Sequence, residues 1–371
     1  MPSSTKAAVL QQHADNKLLN ALQPPLMMRG PHDLSADDFQ SPLDERMIDS
    51  TITALEAGQT HYVEVPGIPP LREALAAHLN ATTKANYAPD NLLVTAGMQE
   101  ARFLTIQLIG QEFERIALPT VIHPGARKAL GVRPMPIDTI TVDPDNGLLP
   151  TPNGVRTVLE AGSRLIYLES PSRLTGATFT AAAVAEIAEL IASYDASVIW
   201  DQGLSAWLPA DTYTSLTAQT DAANRTAAIG EAWPGMGLAS WFIGYIAAPT
   251  DWIPPMQSQK QIMAICTSTP SQYAALEASQ IFAEAHPTHL QTLTQQRAAL
   301  VDLAAGAKLE PLTGGAATVF AARALADKAQ ISAKLSEAGY TVADGADFGA
   351  PDVLRFTVTM SGAAQNALKH L

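Results

Sequence analysis

The sequence predicts an α/β protein, with a mostly parallel sheet covered on both faces and a smaller α+β unit at the C-terminal end. Two observations predict it. Short apolar runs alternate with helical stretches through the middle of the chain, and beyond residue 305 the order changes to strand, helix and strand. Alternation of the first kind marks parallel strands, because each crossover uses a helix to return the chain.

Taken in order, the first 30 residues, with Pro24 and Pro25, read as an irregular arm. Leu92–Thr95, Arg115–Leu118, Leu165–Leu168, Ser197–Trp200 and Ile243–Ala247 read as strands. Between them lie helical stretches such as Met98–Ile109 and Thr180–Ser193, the latter reading TAAAVAEIAELIAS. Ser271–Ala305 is rich in Ala, Gln and Leu and reads as long helices broken near Pro287, since proline lacks the N–H that a helix interior needs. The C-terminal unit follows as EPLTGGAATVFAA, a helix over Asp327–Ala338, and a last strand in DVLRFTVTM. In such sheets the functional site gathers at the carboxyl ends of the strands.

Composition narrows the function. Hydrophobic residues make up 47% and charged residues 16%, a globular balance. With 36 acidic against 23 basic residues, the net charge of −13 argues against a nucleic-acid or anionic-membrane partner. No run of 18 apolar residues occurs and the start lacks the pattern of a signal peptide, so a soluble, cytoplasmic protein is expected. The single cysteine, Cys266, gives neither a disulfide framework nor a metal cluster and reads as a small core residue.

Seven segments, in sequence order, resemble the class I/II (fold type I) aminotransferases. They are THYVEVPGIPPLREALAAHL, LLVTAGMQEA, LESPSRLTGATF, VIWDQGLSAW, GEAWPGMGLASWFIGYIAAP, LTGGAATVFAA and DGADFGAPDVLRFTV, spanning roughly residues 34–371. The resemblance implies an aminotransferase-like fold. Residues 1–50 would form an arm and part of a small domain, 51–285 the large domain, and 286–371 the C-terminal small domain. It also implies a homodimer whose cleft lies at the subunit interface.

This family holds pyridoxal phosphate through a lysine amine. On the gap-free match that position is Pro234, and the nearest downstream lysine is Lys260. The phosphate-binding arginine matches Phe242, the nearby serine matches Ala232 or Glu231, and the tyrosine that bonds the ring oxygen matches Leu204. A carboxylate at Glu231 would repel a phosphate. What remains is the helix start at Gly97, Met98 and Gln99, a generic anion site. The expectation is therefore that no covalent cofactor is held, with noncovalent pyridoxal phosphate at that helix start the remaining route.

Asp201 matches the aspartate that pairs with the ring nitrogen. Arg355 matches the arginine that binds the substrate α-carboxylate, and Tyr62 the tyrosine that reaches the partner subunit's site. Arg173, Glu231 and His123 add new polar groups near Asp201, a set suited to acid–base work on an anion. The function expected is an enzyme acting without covalent pyridoxal phosphate on a carboxylate-bearing metabolite. The alternatives are a noncatalytic or regulatory partner subunit, and an ordinary aminotransferase with a displaced lysine.

Overall fold

A computed structural model describes residues 32–371 except 38, 40, 133, 134, 210, 239, 240 and 242. The N-terminal arm and Phe242 lie outside the described residues. Strands β1 (Asp33–Leu34), β2 (Leu92–Ala96), β3 (Ile116–Pro119) and β4 (Ile137–Ile140) come first. A small hairpin, β5 (Val142–Asp143) and β6 (Leu149–Pro150), follows them. Then come β7 (Leu165–Glu169), β8 (Ser197–Asp201), β9 (Thr226–Glu231) and β10 (Ile243–Ala247). The last four are β11 (Leu309–Pro311), β12 (Val319–Ala324), β13 (Thr341–Asp344) and β14 (Val353–Thr357).

Seven strands form the main sheet in the order β2-β10-β9-β8-β7-β3-β4. All its pairings are parallel except those of β10, which runs against both β2 and β9. Side chains alternate across this sheet as the period of 2 requires. Ile166, Leu168, Val198 and Trp200 feed one buried layer, while Leu165, Tyr167 and Ile199 feed the other. Each fully buried aliphatic side chain of this kind contributes about 1.5–3 kcal/mol. The register sets Glu169 opposite Asp201, and Asp201 opposite Ile229, two residues before Glu231. Three acidic residues thereby reach the carboxyl ends of three adjacent strands.

The second sheet has the order β1-β13-β14-β12-β11. Arg355 sits in its central strand, flanked in register by Ala321 and Ala343. Those two small side chains leave a guanidinium room on the same face.

The helices that matter to the site are α1 (Glu45–Glu56), α2 (Pro69–Thr83), α3 (Gly97–Ile109) and α4 (Pro124–Gly131). Two others, α5 (Ile253–Ala264) and α6 (Thr269–Ala304), pack around them. The break expected near Pro287 does not occur: α6 is one helix of 36 residues. Proline removes one N–H, and here both Pro287 and Ala283, whose carbonyl loses its partner, are exposed, so water can take that bond. Helix α6 supplies Ala274, Ala278 and Phe282 to the core of the main sheet, and Leu293 and Leu300 to that of the second. Cys266 is half-buried. Among the described residues no helix is long and apolar enough to cross a membrane.

Candidate functional site

The carboxyl ends of β7, β8 and β9 carry a buried network of charges. Arg173 lies across Asp201, with Nη2 at 2.7 Å and Nε at 3.0 Å from Oδ1. The same guanidinium reaches Glu231, Nη1 to Oε1 at 3.0 Å and Nη2 to Oε2 at 3.2 Å. Asp201 Oδ2 accepts from Arg102 Nη2 at 3.0 Å and from the Tyr167 hydroxyl at 3.1 Å, and the Gly203 N–H reaches Oδ1 at 3.1 Å. A Cβ at Gly203 would lie 1.9 Å from Arg173 Nη2 and 2.1 Å from Glu231 Oε2, so any larger residue would have to displace this pairing.

Burial by itself would raise the Asp201 carboxyl, but Arg173 and Arg102 outweigh it and hold it below the usual carboxylate range. Glu169 moves the other way. Burial, and then the negative charge of Asp201, push it up, although it accepts N–H bonds from His123 at 2.8 Å and Arg173 at 3.2 Å.

His123 is the N-cap of α4. Its Nδ1 accepts the Gly125 N–H at 3.0 Å, so the ring proton sits on Nε2, which faces Asp37 Oδ2 at 3.0 Å. Burial lowers the His123 pKa, which the charge of Asp37 partly offsets. Burial also disfavours the Asp37 carboxylate, yet His123, Arg355 and Arg173 together hold its pKa well below the ordinary value.

Arg355 is fully buried. Its Nε donates to the Arg173 carbonyl at 2.8 Å and its Nη1 to the Ala36 carbonyl at 2.9 Å. Among the described residues Nη2 has no hydrogen-bond partner; it faces Asp37 Oδ1 at 3.6 Å, beyond hydrogen-bond reach. An unmatched buried donor costs about 1–3 kcal/mol, more when charged.

A cavity of about 640 Å³ opens above this network. Its wall includes Asp37, Gly97, Met98, Gln99, Arg102, His123, Lys128, Glu231 and Pro234. A second cavity of about 440 Å³ shares Glu231 and Pro234 and is lined by His78, Lys84, Tyr245 and Phe282.

Of the residues singled out from sequence, His123, Glu231, Pro234 and the 97–99 helix start line the main cavity. Asp201, Arg173 and Arg355 lie beneath its wall, at most 1% exposed and engaged with protein partners. Tyr62 is 78% exposed on the outer surface. Lys260 does not line the cavity, although its partner Glu100 accepts the N–H of Ala96, which does. Lys260 is fully buried and paired with Glu100 at 2.7 and 2.8 Å. Arg102, Glu169, Asp37 and Lys128 were not anticipated. For Lys128 a signal existed, since a helix opening at Pro124 in HPGARKAL carries position 128 to its next turn.

The family model for aminotransferase class I and II matches residues 32–371. Aspartate/prephenate aminotransferase of Thermus thermophilus is 26% identical, over 87% of this chain and 85% of its own. A Bacillus subtilis chain named as an aminotransferase is 27% identical over 62% of this chain and 60% of its own. Among solved structures, a mutant of the Thermus thermophilus aspartate aminotransferase superposes with a TM-score of 0.81 at 22% identity, over 93% of this chain and 96% of that one.

These matches overturn the expectation that no covalent cofactor is held, because the matched family works with pyridoxal phosphate and the match runs through every segment of the cleft. The donor set fits that cofactor at two points. A helix start lines the cavity to receive a phosphate, and the exposed Lys128 also borders it, with no hydrogen-bond or ion-pair partner among the described residues. It departs at a third point, since Asp201 is already engaged by Arg173 and Arg102. With sheet, cleft and matched segments in agreement, the chain belongs to the class I and II aminotransferases.

Proposed function

We propose that this chain is a pyridoxal-phosphate-dependent aminotransferase for carboxylate-bearing amino and keto acids, with its lysine displaced from position 234 to Lys128. The observation that carries the reading is Lys128 itself, which borders the same cavity as the Gly97 helix start and has no partner among the described residues. Neither other described lysine near the cleft serves as well: Lys260 is held by Glu100, and Lys84 opens into the second cavity.

Pyridoxal phosphate, when bound, draws electron density from the substrate α-carbon and loosens its proton. The N–H groups at the start of α3 would hold the phosphate, with Gln99 kept in place by its bond to the Gly125 carbonyl at 3.0 Å. His123 and Glu231 line the cavity as groups able to hold or pass a proton. Arg355 would bind the substrate carboxylate.

The test is amino transfer from L-aspartate to 2-oxoglutarate by the purified protein after incubation with pyridoxal phosphate. Transfer supports the reading, and its absence across a panel of aspartate, glutamate and aromatic donors would overturn it. A second reading, a noncatalytic partner of an active homologue, draws on the engagement of Asp201 by Arg173 and Arg102, which leaves it without a free face for a ring nitrogen. The same assay separates the two.

We also propose that the protein is a homodimer. Supporting this, Ile48, Ile52 and Leu55 form an exposed apolar stripe on α1 at 41–47% exposure, with Tyr62 exposed a few residues beyond the helix.

A further inference from the structure

We infer that Asp37 is a built-in competitor of the substrate: its carboxylate covers the open face of Arg355, and a ligand carboxylate has to displace it. The inference rests on the proposal that Arg355 is the substrate's carboxylate anchor and deepens it by naming what guards that anchor. Three sides of the geometry agree. Arg355 has committed Nε and Nη1 to backbone carbonyls, which leaves Nη2 buried and without a hydrogen bond among the described residues. The group that faces Nη2 is a carboxylate, Asp37 Oδ1, at 3.6 Å. That distance gives attraction between charges without a made hydrogen bond, so a carboxylate that seats itself fully gains a bond that Asp37 does not make.

Asp37 also has somewhere to go. Its side chain is 34% exposed, it lines the main cavity with Ser35 and Ala36, and its other oxygen is held by His123 Nε2 at 3.0 Å. Arg355, in contrast, is anchored in the middle of a sheet and does not line that cavity. The 35–37 segment is therefore the layer between the cavity and the guanidinium. Ala36 stays on Arg355 Nη1, so it is the Asp37 side chain that turns aside, baring Nη2 while His123 remains as a partner for the displaced carboxylate. Placing a negative charge at the anchor also sets a threshold: a ligand bearing one weakly placed carboxylate fares worse than one whose remaining groups are held elsewhere in the cavity.

The test is calorimetric titration of the purified protein with succinate, a simple dicarboxylate. Asp37→Ala is expected to bind succinate at least 10-fold more tightly than the unaltered chain, and Asp37→Asn, which keeps the shape and removes the charge, to show the same direction. A gain in affinity is a readout that structural damage does not produce. Unchanged or weaker binding by both variants, each with a cooperative melt, overturns the competitor role. The double variant Asp37→Ala/Arg355→Ala separates the two readings. If it loses the gain, Arg355 is the anchor; if it binds as tightly as Asp37→Ala, the anchor assignment itself falls.

Discussion

Arg173 Nη2 lies 2.7 Å from Asp201 Oδ1, and the pair is sealed from solvent on both sides. With Arg102 on the other oxygen, Asp201 is paired twice over, and Glu231 shares the Arg173 fork. Three guanidiniums, those of Arg102, Arg173 and Arg355, meet the carboxylates of Asp37, Asp201 and Glu231. Beside them, burial and the charge of Asp201 push the Glu169 carboxyl up.

Removing one member leaves uncompensated buried charge. Arg173→Ala is expected to destabilise the protein by about 3–5 kcal/mol, read as a lower urea midpoint with an unchanged slope. A loss under 1 kcal/mol would show that the network relaxes freely.

Lys260 and Glu100 form a second sealed pair, under the first turn of α3, where Glu100 also accepts the Ala96 N–H. Lys260→Met alone is expected to cost about 3–5 kcal/mol, and the double change Lys260→Met/Glu100→Gln much less. Equal losses in both proteins would argue that the two side chains are not energetically coupled.

Lys128 is the residue expected to carry the label when the protein is soaked in pyridoxal phosphate, reduced with borohydride and mapped by peptide mass. Lys128→Ala should lose a stoichiometric adduct. Labelling of Lys84 or Lys260 instead would move the amine elsewhere and leave the aminotransferase reading standing.

His78, packed on Phe282, is pushed down to about 4 by burial, with His286 nearby acting in the same direction. Below its ordinary value of 6.5 the unfolded chain takes a proton that the folded chain refuses until about pH 4. The His78 contribution is therefore present above pH 6.5 and lost as pH falls through this window, by about 1–3 kcal/mol. Urea midpoints at pH 7.5 and 5 measure it, and His78→Gln should show a smaller difference between them.

For the homodimer, light scattering at micromolar concentration is expected to give twice the 39.2 kDa chain mass, and Ile52→Glu on the exposed stripe to shift it toward the monomer. A monomer in the unaltered protein would count against the proposal.

The main sheet was legible because its signals are local. Leu165–Leu168 and Ser197–Trp200 are continuous apolar runs, as strands covered on both faces must be, and each differs from the observed strand by one residue. Pro287 misled because a proline rule describes backbone donors, not whether water waits at the freed carbonyl. The site was legible only in part. The family pattern points to Asp201, Arg355 and the 97–99 turn by position, but says nothing of Arg102, which meets Asp201 across 99 residues of chain. Asp37 carries no motif at all. Its importance comes from where the second sheet sets Arg355, which no local pattern in DLSADDF encodes.

Arg355 ties the Arg173 carbonyl, 182 residues earlier, to that of Ala36, 319 residues earlier. During synthesis the main-sheet strands, all before residue 248, leave the ribosome long before this arginine does. An emerging chain can thus close its larger core while both carbonyls still face water and Asp37 has no cation to cover. Closing loops of that length is slow and entropically costly, so the pocket is finished last, by strand β14. A truncation before residue 355 would yield a chain with the whole main sheet and an unfinished mouth, and such a chain is a natural client for chaperones and proteases.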